Sequence, residues 1–187
     1  MEKIKISNQA FPGPMPVVIV GAEVNGKPNY LTVAWITRVN FSPPMLGIAL
    51  GKSHHTNKGI REHGEFSVSV PGAELMKVTD YAGLVSGLKT DKSGLFEPFY
   101  GELRHAPMVR ECPLTMECRV VQTVELPVNE FIIGEIVGVY TEEQYLSNGK
   151  PDMEKIDPFV LSMPDNHYWR LGDPVGRAWQ SGREYQP

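Results

Sequence analysis

A β-hairpin is predicted by the stretch Val17-Val-Ile-Val-Gly-Ala-Glu-Val-Asn-Gly-Lys-Pro-Asn-Tyr-Leu-Thr-Val-Ala-Trp-Ile36. Its first residues, 17–20, are all apolar and follow a proline, which is typical of a short buried strand. Asn25 and Gly26 form a dipeptide that tolerates the positive φ angles of a tight hairpin turn. Residues 30–36 are rich in β-branched and aromatic side chains, so we expect them to form the returning strand.

Strand patterns recur along the rest of the chain, at residues 45–50, 66–70, 116–125, 131–140 and 159–162. Helical spacing is found at residues 58–63 and 73–81, and residues 83–98 are expected to form a long loop. Turns between the segments use many of the 16 prolines and 18 glycines. Many short strands with few helices predict a mainly β fold, a closed or split antiparallel barrel, in one domain spanning residues 1–187.

The segment 116–125 shows the alternation of a strand with one buried face. Its two sets of side chains are Met116, Cys118, Val120 and Val124, expected to face inward, and Glu117, Arg119, Thr123 and Glu125, expected to face water.

The composition excludes several classes of protein. Of the 187 residues, 41% are hydrophobic and 21% are charged, as in an ordinary soluble domain. The formal net charge of -4 favours neither nucleic acid nor an anionic membrane as a partner. The first residues do not resemble a signal peptide, and the apolar runs are too short to span a bilayer. We therefore expect a cytoplasmic protein whose two cysteines, Cys112 and Cys118, are reduced and lie in the core.

The strand at residues 45–50 leads into a segment rich in hydrogen-bond donors, Lys52, Ser53, His54, His55, Thr56 and Asn57. We expect Thr56 or Asn57 to cap the helix that follows. The first backbone N–H groups of a helix are unpaired and its dipole favours an anion, so the segment predicts a site for a phosphorylated cofactor. A solvated turn with an ordinary helix cap is the alternative.

Several motifs follow one another in a distinctive order. They are Pro16-Val-Val-Ile-Val20, Asn29-x-x-Thr32-x-Ala34-Trp35, Ser42-Pro-Pro44, Lys52-Ser-His-His-Thr-Asn57, Phe66-Ser-Val-Ser-Val-Pro71, Ser86-Gly87 with Asp91-Lys92, and Tyr168-Trp-Arg-Leu-Gly172 with residues 175–185. Together they resemble the flavin reductase-like family, and within it the flavoredoxin-type branch. The resemblance implies an antiparallel, Greek-key-like split β-barrel that binds FMN and forms homodimers.

The resemblance also implies where the cofactor lies. The flavin ring is expected along residues 29–35 and the phosphate along residues 52–57, with further contacts from the loop after residue 83. The candidate cofactor-binding residues are Asn29, Thr32, Val33, Ala34, Trp35, Lys52, Ser53, His54, His55, Thr56, Asn57, Ser86 and Lys92. Thr32 is expected to donate to the ring, and Ser86 to bond the cofactor or its own loop. Lys92 either adds positive charge near the flavin or is a solvated loop lysine.

The chain departs from the family pattern at two positions. Ala82 stands where related flavoredoxins often carry a cysteine, so a thiol-dependent step is not expected there. Asn129 and Glu130 stand where many nicotinamide-using relatives carry a histidine, which puts NAD(P)H binding in doubt. Trp169 and Trp179 are expected to pack the C-terminal tail against a partner subunit, with packing inside one chain as the alternative.

These features favour an oxidoreductase in which FMN carries the chemistry, with no separate catalytic residue. Electrons would pass from NAD(P)H or a protein donor to a flavin, a ferric chelate or a partner protein. A non-catalytic barrel that binds another phosphorylated molecule is the alternative. A histidine-metal enzyme is not expected, because His54 and His55 point to opposite faces of an extended chain. The other histidines, His63, His105 and His167, stand alone in the sequence.

Overall fold

The computed structural model describes residues 1–185, so residues 186–187 of the predicted domain lie outside the described part. The fold is mainly β, with short helices, as predicted. The strands are β1 (Met15–Pro16), β2 (Val18–Val24), β3 (Lys27–Val33), β4 (Ile36–Asn40), β5 (Met45–Gly51), β6 (Glu65–Val70), β7 (Pro98–Phe99), β8 (Met108–Val109), β9 (Leu114–Glu125), β10 (Asn129–Thr141), β11 (Leu146–Ser147), β12 (Lys150–Pro151), β13 (Phe159–Ser162) and β14 (His167–Arg170). The helices are α1 (Thr56–His63), α2 (Met76–Leu84) and α3 (Met153–Ile156), with 3-10 turns at Ala73–Leu75, Glu143–Tyr145 and Ser181–Glu184. Within residues 1–185, no helix is long and apolar enough to cross a lipid bilayer.

Seven strands form one antiparallel sheet that curls into a barrel. Their order is β3-β2-β6-β9-β10-β5-β4, so that β3 and β4 are the two edges. Only Ala34 and Trp35 separate the end of β3 from the start of β4. A connection this short spans at most about 10 Å, so the two edges lie close together without pairing. The barrel is therefore split at this seam, and β6, inserted between β2 and β9, gives the order a Greek-key character.

The predicted hairpin is present, but its returning strand begins and ends three residues earlier than expected, at Lys27–Val33. Asn25 and Gly26 have φ angles of 53° and 73°, as a tight turn requires, and β2 pairs with β3 along its whole length. The prediction that residues 30–36 form one strand is wrong. The chain leaves β2 after Val33 and, from Ile36 onward, pairs with β5 at the other edge of the sheet.

Strand β2 is buried on both faces and separates two apolar clusters. Val18 and Val20 face the barrel interior, while Ile19 faces a second cluster beneath α2. This double burial explains why residues 17–20 are apolar without alternation. The cysteines are free, as predicted, with Cys118 in the first cluster and Cys112 in the second. Burial raises the pKa of both thiols well above the usual range.

The alternation predicted for residues 116–125 holds only in part. Glu117, expected to face water, is fully buried because residues 100–103 cover its carboxylate. Beyond Val120 the pairing with β10 skips Val121, which forms a β-bulge. All five residues from Val121 to Glu125 are exposed, so this end of the strand has no buried face, and Val124, expected to face inward, is 38% exposed.

The helix predicted over residues 73–81 is longer than expected. It begins as a 3-10 turn and continues as α2 to Leu84, so the following loop starts at Val85. This loop returns beneath the C-terminal end of α2 and carries Lys92. The packing of the loop on α2 brings it next to α1, where the candidate site lies.

Candidate functional site

The first turn of α1 is fixed by hydrogen bonds between its side chains and residues of the sheet. His55 is the residue before the helix, and its side chain makes no capping hydrogen bond. The prediction that Thr56 or Asn57 caps α1 is therefore wrong, because both side chains bond elsewhere. The Thr56 hydroxyl accepts a hydrogen bond of 2.8 Å from the Asn29 amide. The Asn57 amide donates to Glu130 at 2.8 Å and to the carbonyl of the residue that ends β5 at 3.2 Å.

Three backbone amides at this end of α1 have no acceptor in residues 1–185. They belong to Ser53, His55 and Thr56. Because the side chains of Thr56 and Asn57 serve the sheet, the helix dipole and these amides remain available to an external acceptor. This end of α1 can therefore bind an anion.

Lys92 is the second element of the site, and it is 3% exposed. Its ammonium group donates to the carbonyls of Ala82 at 3.0 Å and Val85 at 3.2 Å, at the C-terminal end of α2. No ion pair among the described residues includes Lys92, and burial lowers its pKa. The alternative of a solvated loop lysine is thus wrong. A buried cation without a carboxylate partner is costly, which favours an anionic ligand beside it.

Lys92 and the first turn of α1 line one cavity of about 240 Å³, which we call the polar cleft. Its lining residues are Leu31, Ser53, His54, His55, Thr56, Gly83, Leu84, Val85, Ser86, Gly87 and Lys92. Burial and the charge of Lys92 lower the pKa of His54. Burial and the charges of Lys58 and Lys92 do the same for His55. Both imidazoles are therefore neutral at physiological pH, and Lys92 supplies the formal charge of the polar cleft.

The seam of the barrel opens onto a second cavity of about 280 Å³, which we call the apolar cavity. It is lined by Phe11, Met15, Ala34, Trp35, Ile36, Thr37, Gly47, Ala49 and Phe131. Trp35 is 50% exposed. The amides of Ala34 and Trp35 donate no hydrogen bond within the described chain, because the strand is interrupted there. The apolar cavity therefore combines an apolar wall with two free backbone donors.

The structure divides the thirteen predicted site residues into separate groups. Six line the polar cleft, namely Ser53, His54, His55, Thr56, Ser86 and Lys92. Asn29 lines an adjoining cleft and bonds Thr56. Ala34 and Trp35 line the apolar cavity.

Four predicted residues point away from both cavities or support them from behind. The Thr32 hydroxyl donates to the carbonyl of Thr79 in α2, so its proton is not free for a ring atom. Val33 lies in the barrel core. Lys52 forms an ion pair with Glu125 at 2.7 Å, and Asn57 is turned toward Glu130.

The sequence analysis did not identify the uncharged residues that shape the polar cleft, Gly83 and Gly87. A Cβ on Gly87 would lie 2.4 Å from the Asn29 side-chain oxygen and 2.9 Å from the His55 ring, so only glycine fits there. A Cβ on Gly83 would lie 3.1 Å from Thr32. The sequence did contain a signal for this close packing, since Gly83 and Gly87 lie at the two ends of the segment and glycine is required where backbone packs closely.

Glu130 was also missed as a support for the first turn of α1. It accepts hydrogen bonds from Arg61 at 2.9 and 3.1 Å and from Asn57 at 2.8 Å. Burial opposes its ionised form, but the bonds from Arg61 and Asn57 outweigh burial and hold the pKa of Glu130 below its usual value. A carboxylate on β10 thus fixes the orientation of the helix that borders the polar cleft.

We expect Glu130→Gln to lower the free energy of unfolding by about 2 kcal/mol near neutral pH, because the amide cannot accept all three bonds. A carboxyl whose pKa is lowered by folding stabilises the protein above the pKa of the unfolded chain, about 4.3, and loses that effect in acid. The difference between wild type and Glu130→Gln should therefore shrink at about pH 3.5. Urea unfolding at the two pH values measures it. The control is Glu125→Gln, whose exposed ion pair contributes at most about 1 kcal/mol; an equal loss in both variants would contradict the role of Glu130.

Comparison with known proteins gives the family to which the chain belongs. The family model described as flavin reductase like domain matches residues 12–161. A flavoredoxin from Methanosarcina acetivorans, solved by X-ray crystallography, is 57% identical, has a TM-score of 0.96 and is matched over 98% of each chain. The flavoredoxin of Desulfovibrio vulgaris (Miyazaki F) is 31% identical with a TM-score of 0.89, over 97% of this chain and 100% of that chain.

A more distant solved structure shares only the fold. It is an FMN-binding protein from Thermus thermophilus with bound 1-cyclohex-2-enone, 20% identical with a TM-score of 0.80, over 94% of this chain and 99% of that chain. The match to the family model and the identity with the two flavoredoxins extend over most of the chain. The chain therefore belongs to the flavin reductase-like family, and to its flavoredoxin-type branch.

Proposed function

We propose that the protein is an FMN-dependent oxidoreductase or electron carrier, with the FMN phosphate in the polar cleft. The observation that carries this proposal is Lys92, a buried ammonium group with no carboxylate partner within residues 1–185, in a cleft that the free amides of α1 also border. A phosphate monoester supplies the missing negative charge and enough oxygens for the amides, Ser53 and Lys92 together. The donor set of this site therefore fits the phosphate end of FMN.

The apolar cavity fits the other end of the cofactor. Leu31 lines the polar cleft and Ala34 lines the apolar cavity, and both belong to one stretch of chain. Three residues of extended chain span about 10 Å, a distance that a ribityl chain and a ring can bridge. The indole of Trp35 offers an apolar surface, and the free amides of Ala34 and Trp35 can donate to the polar edge of the ring.

When bound, FMN would supply the ability to accept a hydride or single electrons and to release them again. We propose that the donor is NAD(P)H or a redox protein, and the acceptor a flavin, a ferric chelate or a partner protein. The residues of this chain bind and orient the cofactor, and Lys92 balances its charge. Free donors at the seam would also stabilise a reduced, anionic ring.

The test is an FMN titration of the flavin-free protein, followed by anaerobic addition of NADH or NADPH. We expect tight binding of FMN and weaker binding of riboflavin, which lacks the phosphate. Bleaching of the flavin absorbance by NADH or NADPH would identify a nicotinamide donor; bleaching only by a reduced redox protein would identify a protein donor. Failure to bind FMN would overturn the proposal and favour a barrel that binds a different phosphorylated molecule.

A glycine substitution gives a sharper check on where the cofactor lies. We expect Gly87→Ala to weaken FMN binding about tenfold or more, because the new methyl group forces Asn29 and His55 to move. The control is Gly94→Ala in the same loop, where a Cβ meets nothing within 4 Å. Equal FMN affinities of the two variants, measured by quenching of flavin fluorescence, would place the cofactor elsewhere.

We further propose that the protein forms a homodimer in the cytoplasm. The support for a dimer is the C-terminal tail, where Trp179 is 93% exposed and so is not packed within its own chain. Trp169, by contrast, donates a hydrogen bond of 2.7 Å to Ser162 within the β13–β14 hairpin. A monomeric mass by light scattering would contradict the dimer.

A further inference from the structure

Two histidines that stand alone in the sequence come together with a carboxylate in the structure. They are His63, the last residue of α1, and His105, in the loop before β8, beside Glu23 of β2. One ligand atom from each residue lies within 4.8 Å of the other two. Nothing in the proposed flavin site uses these three side chains.

The backbone holds His105 and Glu23 firmly next to each other. The His105 amide donates to the Glu65 carboxylate at 2.8 Å, and its carbonyl accepts from the Glu23 amide at 3.0 Å. The His105 Nδ1 lies 3.3 Å from a carboxylate oxygen of Glu23. The side chain of Glu23 is 22% exposed and that of His105 is 37% exposed, so the cluster is partly sheltered but open to solvent.

His63 is brought to this cluster by the close packing of α1 on β2. A Cβ on Gly59 would lie 2.0 Å from the Glu23 carbonyl oxygen, so the helix can approach the strand only because residue 59 is glycine. The C-terminal end of a helix carries a partial negative charge, which favours a cation beside His63. The imidazole rings of His63 and His105 lie with centroids 3.9 Å apart and planes 11° from parallel.

We propose that Glu23, His63 and His105 bind a divalent transition metal ion, of which Zn²⁺ is the best match. Two imidazole nitrogens and one carboxylate oxygen are ligands that Zn²⁺ accepts, and solvent can complete a tetrahedral shell. A metal lies in the plane of each imidazole that binds it, so the two parallel rings must turn apart when the ion binds. Both rings are partly exposed, which leaves room for such a rotation.

The metal would tie three parts of the fold together at the end of α1 opposite the polar cleft. It would join the C-terminal end of α1 to β2 and to the loop that carries His105. Its expected role is therefore structural, and its binding does not depend on FMN. Stabilisation by the metal would appear as a rise in the unfolding temperature that depends on metal concentration.

The test is a calorimetric titration of chelator-treated full-length protein with ZnCl₂. We expect one Zn²⁺ per chain, and an affinity at least about tenfold lower in His63→Ala and in His105→Ala. The matched control is His167→Ala, because His167 is exposed and forms an ion pair with Asp165, outside the cluster; this variant should bind Zn²⁺ like wild type. Zn²⁺ should also raise the unfolding temperature of wild type and of the control, but not of the two site variants.

Acidification gives a second readout, because protons compete with the metal for imidazole nitrogens. Zn²⁺ binding should weaken as the pH falls from about 7.5 to about 5.5. The carboxylates that face the cluster are those of Glu23 and Glu65, both of which contact His105. Absence of stoichiometric binding, or equal affinity in wild type and His105→Ala, would overturn the proposal. Circular dichroism of each variant establishes that it is folded.

Discussion

Replacing Lys92 with methionine should weaken FMN binding about 100-fold, the largest effect on binding that we expect from any single side chain. Methionine keeps the length of the side chain but removes the only formal charge of the polar cleft. A charge-assisted hydrogen bond to a buried phosphate contributes about 2–3 kcal/mol, which corresponds to a factor of about 100 in the dissociation constant. Quenching of flavin fluorescence on titration measures both affinities.

Titration with riboflavin in the same experiment measures the binding of the ring without the contribution of the phosphate. Because riboflavin lacks the phosphate, its affinity should be nearly the same for wild type and Lys92→Met. The control variant is Lys89→Met, which removes an exposed lysine from the same loop. If Lys92→Met and Lys89→Met bind FMN equally well, the phosphate does not lie beside Lys92.

Lys92→Met also removes two hydrogen bonds to the end of α2, so its stability must be measured separately. The carbonyls of Ala82 and Val85 lose their shared donor, which costs about 1–3 kcal/mol. Titration well below the unfolding temperature keeps this loss from being mistaken for weak binding. Unchanged riboflavin affinity would independently show that the variant is folded at the site.

The strands could be predicted from the sequence because the signals that define them are local. The apolar run 17–20 and the dipeptide at Asn25 and Gly26 determine the hairpin without help from distant residues. The break at Trp35 could not be predicted in this way. It exists because the two edges of the barrel meet there, and that meeting depends on the pairing of all seven strands.

Sequence patterns can group candidate site residues that lie along one segment, but they cannot show contacts that depend on distant partners. Four adjacent residues of the donor-rich loop, 53–56, line one cleft, whereas Lys52 and Asn57 at its two ends bond elsewhere. The roles of Thr56 and Asn57 were predicted incorrectly because both side chains form hydrogen bonds with distant residues. Thr56 bonds Asn29, 27 residues away, and Asn57 bonds Glu130, 73 residues away. His105 and Glu23 are 82 residues apart, and no periodicity in the sequence connects them.

Glu117 is the position at which the strand pattern was most misleading, and its replacement should have the largest effect on stability. Its carboxylate accepts hydrogen bonds from the amides of Glu102 at 2.9 Å and Leu103 at 2.8 Å, and from the Tyr140 hydroxyl at 2.6 Å. The pKa of Tyr140 is raised, and the largest cause is this hydrogen bond to the carboxylate. A Cβ on Gly101 would lie 2.5 Å from the carboxylate, so the covering loop is closely packed on it.

We expect Glu117→Ala to lower the free energy of unfolding by about 4 kcal/mol, because it leaves one buried amide, one partly buried amide and a hydroxyl without this acceptor. For a chain of this size that corresponds to a fall in unfolding temperature of about 10 °C. Tyr140→Phe removes only one donor and should cost about 1 kcal/mol. Chemical denaturation of the flavin-free proteins measures the series without interference from ligand binding.

The control on the same strand is Thr123→Ala, at an exposed position, which should change stability by no more than about 0.5 kcal/mol. Glu117→Gln separates the stabilisation that comes from filling the buried space from the stabilisation that comes from the negatively charged acceptor. An amide of the same shape fills the space but presents an N–H group to one of the two backbone donors, so we expect a loss between those of Tyr140→Phe and Glu117→Ala. If Glu117→Ala unfolds at the same denaturant concentration as Thr123→Ala, residues 100–103 are not anchored by this carboxylate, and the burial of Glu117 contributes nothing to the stability of the barrel.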